Sequence, residues 1–265
     1  MTVGHFLKTA TTELAESGIP NPRLDILILL EDALGQDRSL ILAHLEREVD
    51  QLTEVGLNKK VARRLSHTPL AYIRQKANFY GREFIVTHDV LVPRPETESI
   101  IDLAKGLSLP TRPTIVDVGT GSGCLGVTIA AEMPNATVWL LDISEAALDV
   151  ARQNAKKHHT PVHFRHADLL KANTIPYDLI LANLPYVPAS QQIDRAATFE
   201  PQIALFSGQD GLDSYRALWQ ELASQRPGHV IVESFVDQHP SMSSLAEQAG
   251  YKLEQTLNLA QHFSL

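Results

Sequence analysis

The stretch "LILANLPYVP" at 179–188 reads as a fully buried strand until it meets Asn183, Leu184, Pro185 and Tyr186. These four residues could hold a planar –NH2 group. The Asn183 side-chain oxygen and the Leu184 backbone carbonyl can each accept one N–H, and the Tyr186 ring can lie against the flat face. An amide or aromatic amine is a poor nucleophile because its lone pair is delocalised into the π-system. Two acceptors that hold both hydrogens aim the nitrogen and favour the charge that grows on it during group transfer. No base with a shifted pKa is required beforehand. The competing explanation is a plain strand exit through a polar residue and a proline.

A second cluster weighs against that explanation. "VDVGTGSGCLGV" places Asp117, Gly119, Thr120, Gly121, Ser122 and Gly123 where a strand turns into a helix. Glycines there let the backbone turn tightly and present its amides to a ligand. A dinucleotide pyrophosphate would be repelled by the acid at Asp117, whereas the ammonium of an amino-acid ligand would pair with it. Asp142 closes the next strand, where a carboxylate can accept ribose hydroxyls. Asp168 closes the third, within reach of an adenine amino group. Either acid alone could simply cap the following helix. Three acids at three successive strand ends, with the glycine loop, fit the cation S-adenosylmethionine better than NAD.

The elements that must carry these residues alternate from 114 onward. Strands are expected at "TIVDVG", "TVWLLD", "VHFRHAD", "YDLILAN" and "HVIVES", with helices near 123–132, 144–157, 212–225 and 240–249. Strands separated by helices imply an α/β, doubly wound, mostly parallel sheet covered on both faces. The "LILAN" strand would lie beside the first, placing Asn183 at the crevice where strand order reverses.

Residues 1–70 carry helical punctuation instead. Asn21 is expected as N-cap with Pro22 at the first helical position and Gly35 as the stop. Asp37 is expected to cap a helix "RSLILAHLERE", and Asp50 to begin "QLTEVGLNKKVARRL". "NFYGREFIV" suggests a hairpin around Gly81, and the two prolines of "VLVPRPETE" delay helix until after Pro95. The expected division is a helical substrate-recognition domain at 1–72, a hairpin linker at 73–98 and the cofactor-binding domain at 99–265.

At 265 residues with 44% hydrophobic and 20% charged content, the chain is long enough for a full core, and its formal net charge of −8 argues against a life on nucleic acid. Cys124 is the single cysteine, so no internal disulfide forms, and without a partner base it is not expected to be a catalytic thiol. The N-terminal residues lack a signal-peptide core, and no apolar run approaches the ~20 residues a bilayer requires. A cytoplasmic protein with no membrane partner is expected. His158, His159, His163 and His166 lack carboxylate or thiolate partners at ligand spacing, so no metal is expected. The basic run at 58–76 reads as a solvated helix face rather than an RNA contact. Glu96 and Glu98 either border the site or favour the positive end of the following helix.

On these motifs the sequence resembles the release-factor glutamine methyltransferases, the HemK-like family, over roughly residues 20–235. "NPRLDILILLEDALG" with "SLILAH" is similar to that family's helical substrate domain. "PLAYIRQKANFYGREFIVTHDVLVPRPETE" matches its linker and is the most specific block. "DVGTGSGCLG", "LDISEAALDVARQNA", "YDLILANLPYVP" and "EPQIALFSGQDGLDSYRAL" follow in the family's order. The resemblance implies a seven-stranded methyltransferase sheet and methylation of the glutamine side-chain amide nitrogen in the Gly-Gly-Gln loop of peptide-chain release factors. By position it implies that Gly119 through Gly123, Asp142, Asp168 and Leu169 contact the cofactor, and that Asn183, Leu184, Pro185 and Tyr186 hold the glutamine. A monomer is expected.

There are departures. The family usually reads Asn-Pro-Pro-Tyr, and Leu184 keeps the carbonyl acceptor but loses proline's fixed φ. Asn-Leu-Pro-Tyr is also similar to the motif of ribosomal-RNA adenine dimethyltransferases, which keeps an adenine amino-methyltransferase on RNA or DNA as an alternative, beside a catalytically silent cofactor-binding module. "VESFVDQ" stands where the family tends to have Glu-Ile-Gly. A sister family that methylates a ribosomal-protein glutamine usually reads Pro-Arg-Ser-Pro in the linker, so "VPRPETE" favours the release-factor branch.

Overall fold

Apolar residues at three- and four-residue spacing fold the first 75 residues into helices α1 (Val3–Glu16), α2 (Pro22–Leu34), α3 (Arg38–Ala43), α4 (Gln51–Leu65) and α5 (Leu70–Arg74). The computed structural model describes residues 1–171 and 176–265. They form two units, Met1–Gln75 with Asp194–Phe199, and Lys76–Ile193 with Glu200–Leu265. Among the described residues no helix is long and apolar enough to cross a membrane.

The helical unit closes around Phe6, Leu14, Ile26, Leu29, Leu30, Ile41 and Leu57. Burial of each such side chain contributes roughly 1.5–3 kcal/mol. Arg64 and Asp25 pair at 2.7 Å among these side chains, and Arg74 holds both oxygens of Asp32, at 2.6 and 3.0 Å. Each pair contains its own countercharge, so removal of one partner would strand a desolvated ion.

Two expectations fail here, for local reasons. Asn21 makes no side-chain cap bond to α2; its ψ of 58° departs from the extended backbone that aims a capping side chain at the helix. The helix expected from Asp37 through Glu48 stops at Ala43, with no cap bond from Asp37. The carbonyls of Leu45 and Arg47 instead accept the otherwise orphaned N–H groups of Gly4 and Val3, each at 2.8 Å, at the start of α1. Asp50 does cap α4, its Oδ1 accepting the Thr53 N–H at 3.0 Å.

The second unit opens with the expected hairpin, β1 (Lys76–Phe79) against β2 (Arg82–Ile85) through the turn Tyr80-Gly81. After α6 (Glu98–Lys105), strands and helices alternate: β3 (Thr114–Val118), α7 (Cys124–Glu132), β4 (Thr137–Asp142), α8 (Glu145–Lys157), β5 (His163–His166), β6 (Leu179–Ala182), α9 (Asp213–Gln225), β7 (His229–Glu233) and α10 (His239–Gln248). The chain then makes an antiparallel pair, β8 (Lys252–Leu257) and β9 (Ala260–Ser264). The seven-stranded sheet has the order β5-β4-β3-β6-β7-β9-β8 and is parallel from β5 to β7.

Successive side chains on a strand face opposite ways, which gives each sheet face its own core. Val116, Val118, Ile180, Val230 and Val232 pack with Tyr215, Leu218, Trp219 and Leu222 of α9 and Met242 of α10. Ile115, Leu179, Leu181 and Ile231 pack with Ile100 and Ile101 of α6 and Leu125, Val127 and Ile129 of α7. β3 and β6 are neighbours, with Val118 opposite Ala182. Their C-terminal ends therefore emerge together, at the point where chain order reverses.

Candidate active site

Strand β3 ends at Val118, and Gly119, Gly121 and Gly123 follow with φ of 70°, 54° and 80°. All three lie in the left-handed region that a side chain resists, so this loop requires glycine. A Cβ on Gly119 would come 2.8 Å from Leu184 Cδ2, and one on Gly123 would meet Ala151 Cβ at 3.0 Å. The loop is pinned from below. Asp117 Oδ2 accepts the Gly126 N–H at 2.9 Å and the Thr120 hydroxyl at 2.5 Å. From the side, the buried Asn154 amide donates to Ser122 O at 2.8 Å and exchanges two bonds with the Ile85 backbone of β2, at 2.7 and 2.9 Å.

Above this loop lies a cavity of about 640 Å³. Gly119, Thr120, Gly121, Ser122, Asp142, Asp168, Leu169, Asn183, Leu184 and Pro185 all line it. Residues from four strand ends are thus brought to one space.

Three expected contacts differ. Asp117 is fully buried beneath the loop and does not line the cavity; its Oδ2 holds the Thr120 hydroxyl of the loop and the Gly126 N–H of α7. Gly123 faces α8 rather than the cavity, because its φ turns the chain into α7 there. The Tyr186 ring is not in the cavity wall; it meets the Phe235 ring edge-on, with centroids 4.8 Å apart, and its hydroxyl donates to Glu233 Oε1 at 2.8 Å.

Burial raises the Asp117 carboxyl to about 7 despite its two donors, and its Oδ1 has no partner among the described residues. Burial also raises Asp142, opposed by the Ser144 and Gly121 amides that bond its two oxygens at 2.9 and 2.8 Å. Each Asp142 oxygen keeps a lone pair for a hydroxyl donor. Asp168 is exposed and pairs with Lys171. Between these carboxylates, Ile143, Ala167 and Leu169 give the cavity an apolar flank. An apolar slot bordered by acids suits an adenosine that carries a cationic tail, so the donor set fits S-adenosylmethionine.

Asn183 closes the other side. Its Nδ2 donates to the Thr97 hydroxyl at 2.9 Å, and no hydrogen bond among the described residues engages its Oδ1. Leu184 donates its N–H to the Tyr215 hydroxyl at 3.1 Å, and that hydroxyl donates in turn to the Glu233 carbonyl. Gln238 fixes the turn further by donating to Tyr186 O at 2.8 Å and Asp210 O at 2.9 Å. Thr97, Tyr215, Glu233 and Gln238 did not stand out in the sequence. The available sign was an acid terminating "HVIVE" in the same manner as the other strand-end acids.

Several of the remaining candidates act as supports. Glu98 accepts the Tyr80 N–H at 2.7 Å, joining α6 to the hairpin turn. Among the histidines, His158 bonds Glu83 O at 3.0 Å, His166 bonds Ile143 O at 2.7 Å, and His163 stacks on Trp139. Cys124 is half-buried, and desolvation pushes its thiol up to about 12, far from a working thiolate.

Residues 5–74 match the PrmC N-terminal domain family, and residues 101–204 match the methyltransferase small domain family. A release factor glutamine methyltransferase of Koribacter versatilis is 37% identical over 238 residues, covering 86% of this chain and 84% of its own. That of Deinococcus radiodurans is 32% identical over 259 residues, covering 96% and 93%. A bifunctional methyltransferase of Rickettsia bellii is 32% identical over 284 residues; the match covers 94% of this chain but only 51% of that longer protein. Among solved structures, the hMettl16 catalytic domain aligns with a TM-score of 0.54 at 10% identity, covering 83% of this chain and 93% of that one. A Pyrococcus furiosus methyltransferase aligns with a TM-score of 0.52 at 16% identity, covering 78% and 96%. At those identities the structural likeness shows the methyltransferase fold alone. The near-complete coverage of relatives above 30% identity, together with the glycine loop and the Asn-Leu-Pro-Tyr turn on adjacent strand ends, shows that the chain belongs to the release factor glutamine methyltransferase family.

Proposed function

We propose that this protein methylates the side-chain amide nitrogen of the glutamine in the Gly-Gly-Gln loop of a peptide-chain release factor, acting in the cytoplasm as a monomer. When bound, S-adenosylmethionine supplies an electrophilic methyl group. Asp142 would hold the ribose hydroxyls, Asp168 and Leu169 the adenine, and the loop from Gly119 to Ser122 the amino-acid portion, with Asp117 bracing the loop from beneath. The helical segment 1–72 would recognise the release factor, and 73–98 would link it to the methyltransferase domain.

One observation carries this reading. Asn183 commits its NH2 to Thr97 at the edge of the cavity. Among the described residues no hydrogen bond engages its Oδ1 or the adjacent Leu184 carbonyl, which leaves two acceptors to match the two hydrogens of a primary amide. Acceptors held this way before the substrate arrives need no reorganisation as positive charge grows on the amide nitrogen. The half-buried Tyr186 hydroxyl is pushed well above its ordinary range, chiefly by desolvation and then by Glu233. It is therefore a hydrogen-bond donor and not a base.

The test is transfer of a labelled methyl group, offered separately to a release factor bearing the Gly-Gly-Gln loop and to a structured RNA. Label on the release-factor glutamine is expected. Label on RNA alone would replace this reading by an adenine amino-methyltransferase, and label on neither by a silent cofactor-binding module.

A further inference from the structure

The cavity accounts for two of the strand-end acids, Asp142 and Asp168, and Asp117 braces the loop beneath it, which leaves a fourth without a task. Glu233, the last residue of β7, is fully buried. Its Oε1 accepts the Tyr186 hydroxyl at 2.8 Å, whereas its Oε2 meets no donor in bonding geometry among the described residues. A buried carboxylate oxygen without a donor calls for an explanation.

The neighbourhood offers one. Burial and the nearby Glu96 raise the Glu233 carboxyl above its ordinary range, while the Thr97 hydroxyl, the Tyr186 hydroxyl and the Asn183 amide favour its ionised form. The other titratable groups that feel this carboxylate are the Tyr215 hydroxyl and the Cys124 thiol, and Arg94 acts on Tyr186. Thr97 is itself buried, and its Oγ1 accepts the Asn183 Nδ2–H at 2.9 Å. A hydroxyl has one proton to give. Thr97 accepts from Asn183, so its own proton points elsewhere, and Glu233, whose ionised form the Thr97 hydroxyl favours and whose Oε2 lacks a donor among the described residues, is an acceptor near it.

We propose that Glu233 is a positioning residue that sets the direction of a hydrogen-bond chain, from Asn183 N–H to Thr97 and from Thr97 O–H to Glu233, and thereby presents the Asn183 oxygen to the substrate amide. With a carboxyl group or an amide in place of the carboxylate, a proton can be given to Thr97 Oγ1 instead. Thr97 would then turn its hydrogen toward Asn183, and the Asn183 amide would rotate to offer NH2 to the cavity. An NH2 group facing an incoming N–H donor rejects it. The same carboxylate anchors Tyr186, so one buried charge orders the side chains on both sides of the Leu184 carbonyl.

This inference rests on amide-nitrogen methylation as the activity, and two readouts keep the two separable. In the first, kcat and KM are measured against pH for the full chain with S-adenosylmethionine and release factor. Wild type is expected to lose kcat on the acid side at a pH above the ordinary carboxylate range. Glu233→Gln is expected to lower kcat about 10–100-fold, the span usual for a lost orienting contact. Its KM for S-adenosylmethionine should stay near that of wild type, and its acid limb should be absent. Thr97→Val should behave like Glu233→Gln, Thr97→Ser should recover most of the loss, and the double variant should be no slower than the slower single one. Wild-type kcat with an unchanged acid limb in Glu233→Gln would overturn the proposal.

The second readout needs no turnover. The side-chain NH2 resonances of Asn183, assigned by their loss in Asn183→Asp, should exchange slowly with solvent in wild type and rapidly in Glu233→Gln and Thr97→Val. Equal exchange in all three overturns the proposal, whatever the substrate. Slow wild-type exchange, lost in the variants, alongside no methyl transfer to the release factor would remove the assigned activity while leaving the hydrogen-bond chain in place. If Glu233→Gln fails to fold, the Thr97 variants decide both readouts.

Discussion

The Tyr215 hydroxyl lies 3.1 Å from the backbone nitrogen of Leu184 and accepts its proton. Proline, the family's usual residue at that position, has no such proton to give. Leucine leaves φ free to vary, and the hydrogen bond to a fully buried phenol on α9 restores the constraint from outside the turn. Tyr215 passes its own proton to the Glu233 carbonyl, so the turn after β6 is tied to the end of β7 through one side chain.

Tyr215→Phe removes that tie and leaves a buried N–H without an acceptor. The expected loss is about 1–3 kcal/mol of stability, the usual penalty for an unmet buried donor, read as a lower urea midpoint at unchanged m-value. Turnover should fall as well, with the dissociation constant for S-adenosylmethionine unaffected.

Asn183→Ala deletes one of the two acceptors proposed for the glutamine amide. Turnover should slow by about 10²–10³, as for other lost transition-state contacts, while calorimetric affinity for S-adenosylmethionine changes little. Wild-type rates in this variant would take Asn183 out of the reaction.

Asp142→Ala should act in the opposite sense. Its carboxylate holds the Gly121 and Ser144 amides and is proposed to meet the ribose, so its loss should weaken S-adenosylmethionine binding by about 10–100-fold, in line with hydrogen bonds to charged groups. Titration calorimetry reads this directly, and turnover at saturating cofactor should be less affected than affinity.

Asp117→Asn isolates a pH effect. Desolvation raises the folded-state value from 3.8 to about 7, so the native protein binds a proton that the unfolded chain gives up between those limits. Across that window the wild-type aspartate lowers stability as pH rises, and an asparagine does not. The melting temperature of Asp117→Asn relative to wild type should therefore climb from pH 4 to pH 7 and level off above. A difference that stays constant with pH would show that Asp117 is not titrating there.

Gly211→Ala tests the turn from a third side. Gly211 has φ of 82°, and a Cβ there would lie 2.1 Å from the Tyr186 carbonyl oxygen. The backbone must shift to admit the methyl, pushing Tyr186 away from Gln238 and Glu233. Loss of activity with a lowered melting temperature is expected; wild-type values for both would show that the turn tolerates displacement.

The strand-helix alternation was readable because burial on both faces writes itself as unbroken apolar runs, as in "LILA" and "VIV". Asp142 and the glycine loop were readable because few other roles place those residues at a strand end. The inward acids were harder. Asp117 and Glu233 differ from Asp142 only in where the backbone aims them, and spacing alone does not record that direction. Tyr215 was hidden for another reason: on an amphipathic helix its ring reads as core, and the hydroxyl that matters is a single atom at its far end. The strands β8 and β9 went unread because "KLEQTL" carries charge and amide on an edge strand whose one neighbour comes from the next few residues. The short α3 shows tertiary demand overriding local pattern, since α1 claims carbonyls that a longer helix would have kept.

The central pairing of β3 with β6 carries a kinetic consequence. Thr114 and Asp178, which fasten the start of that pairing through a 2.7 Å bond, are separated by 64 positions in the chain. Loop closure over such spans slows assembly, while local pieces such as the β8–β9 ribbon can form early. The reactive pocket, built at the ends of β3 and β6, is thus expected to complete later than those local pieces, and the grip on the methyl donor with it.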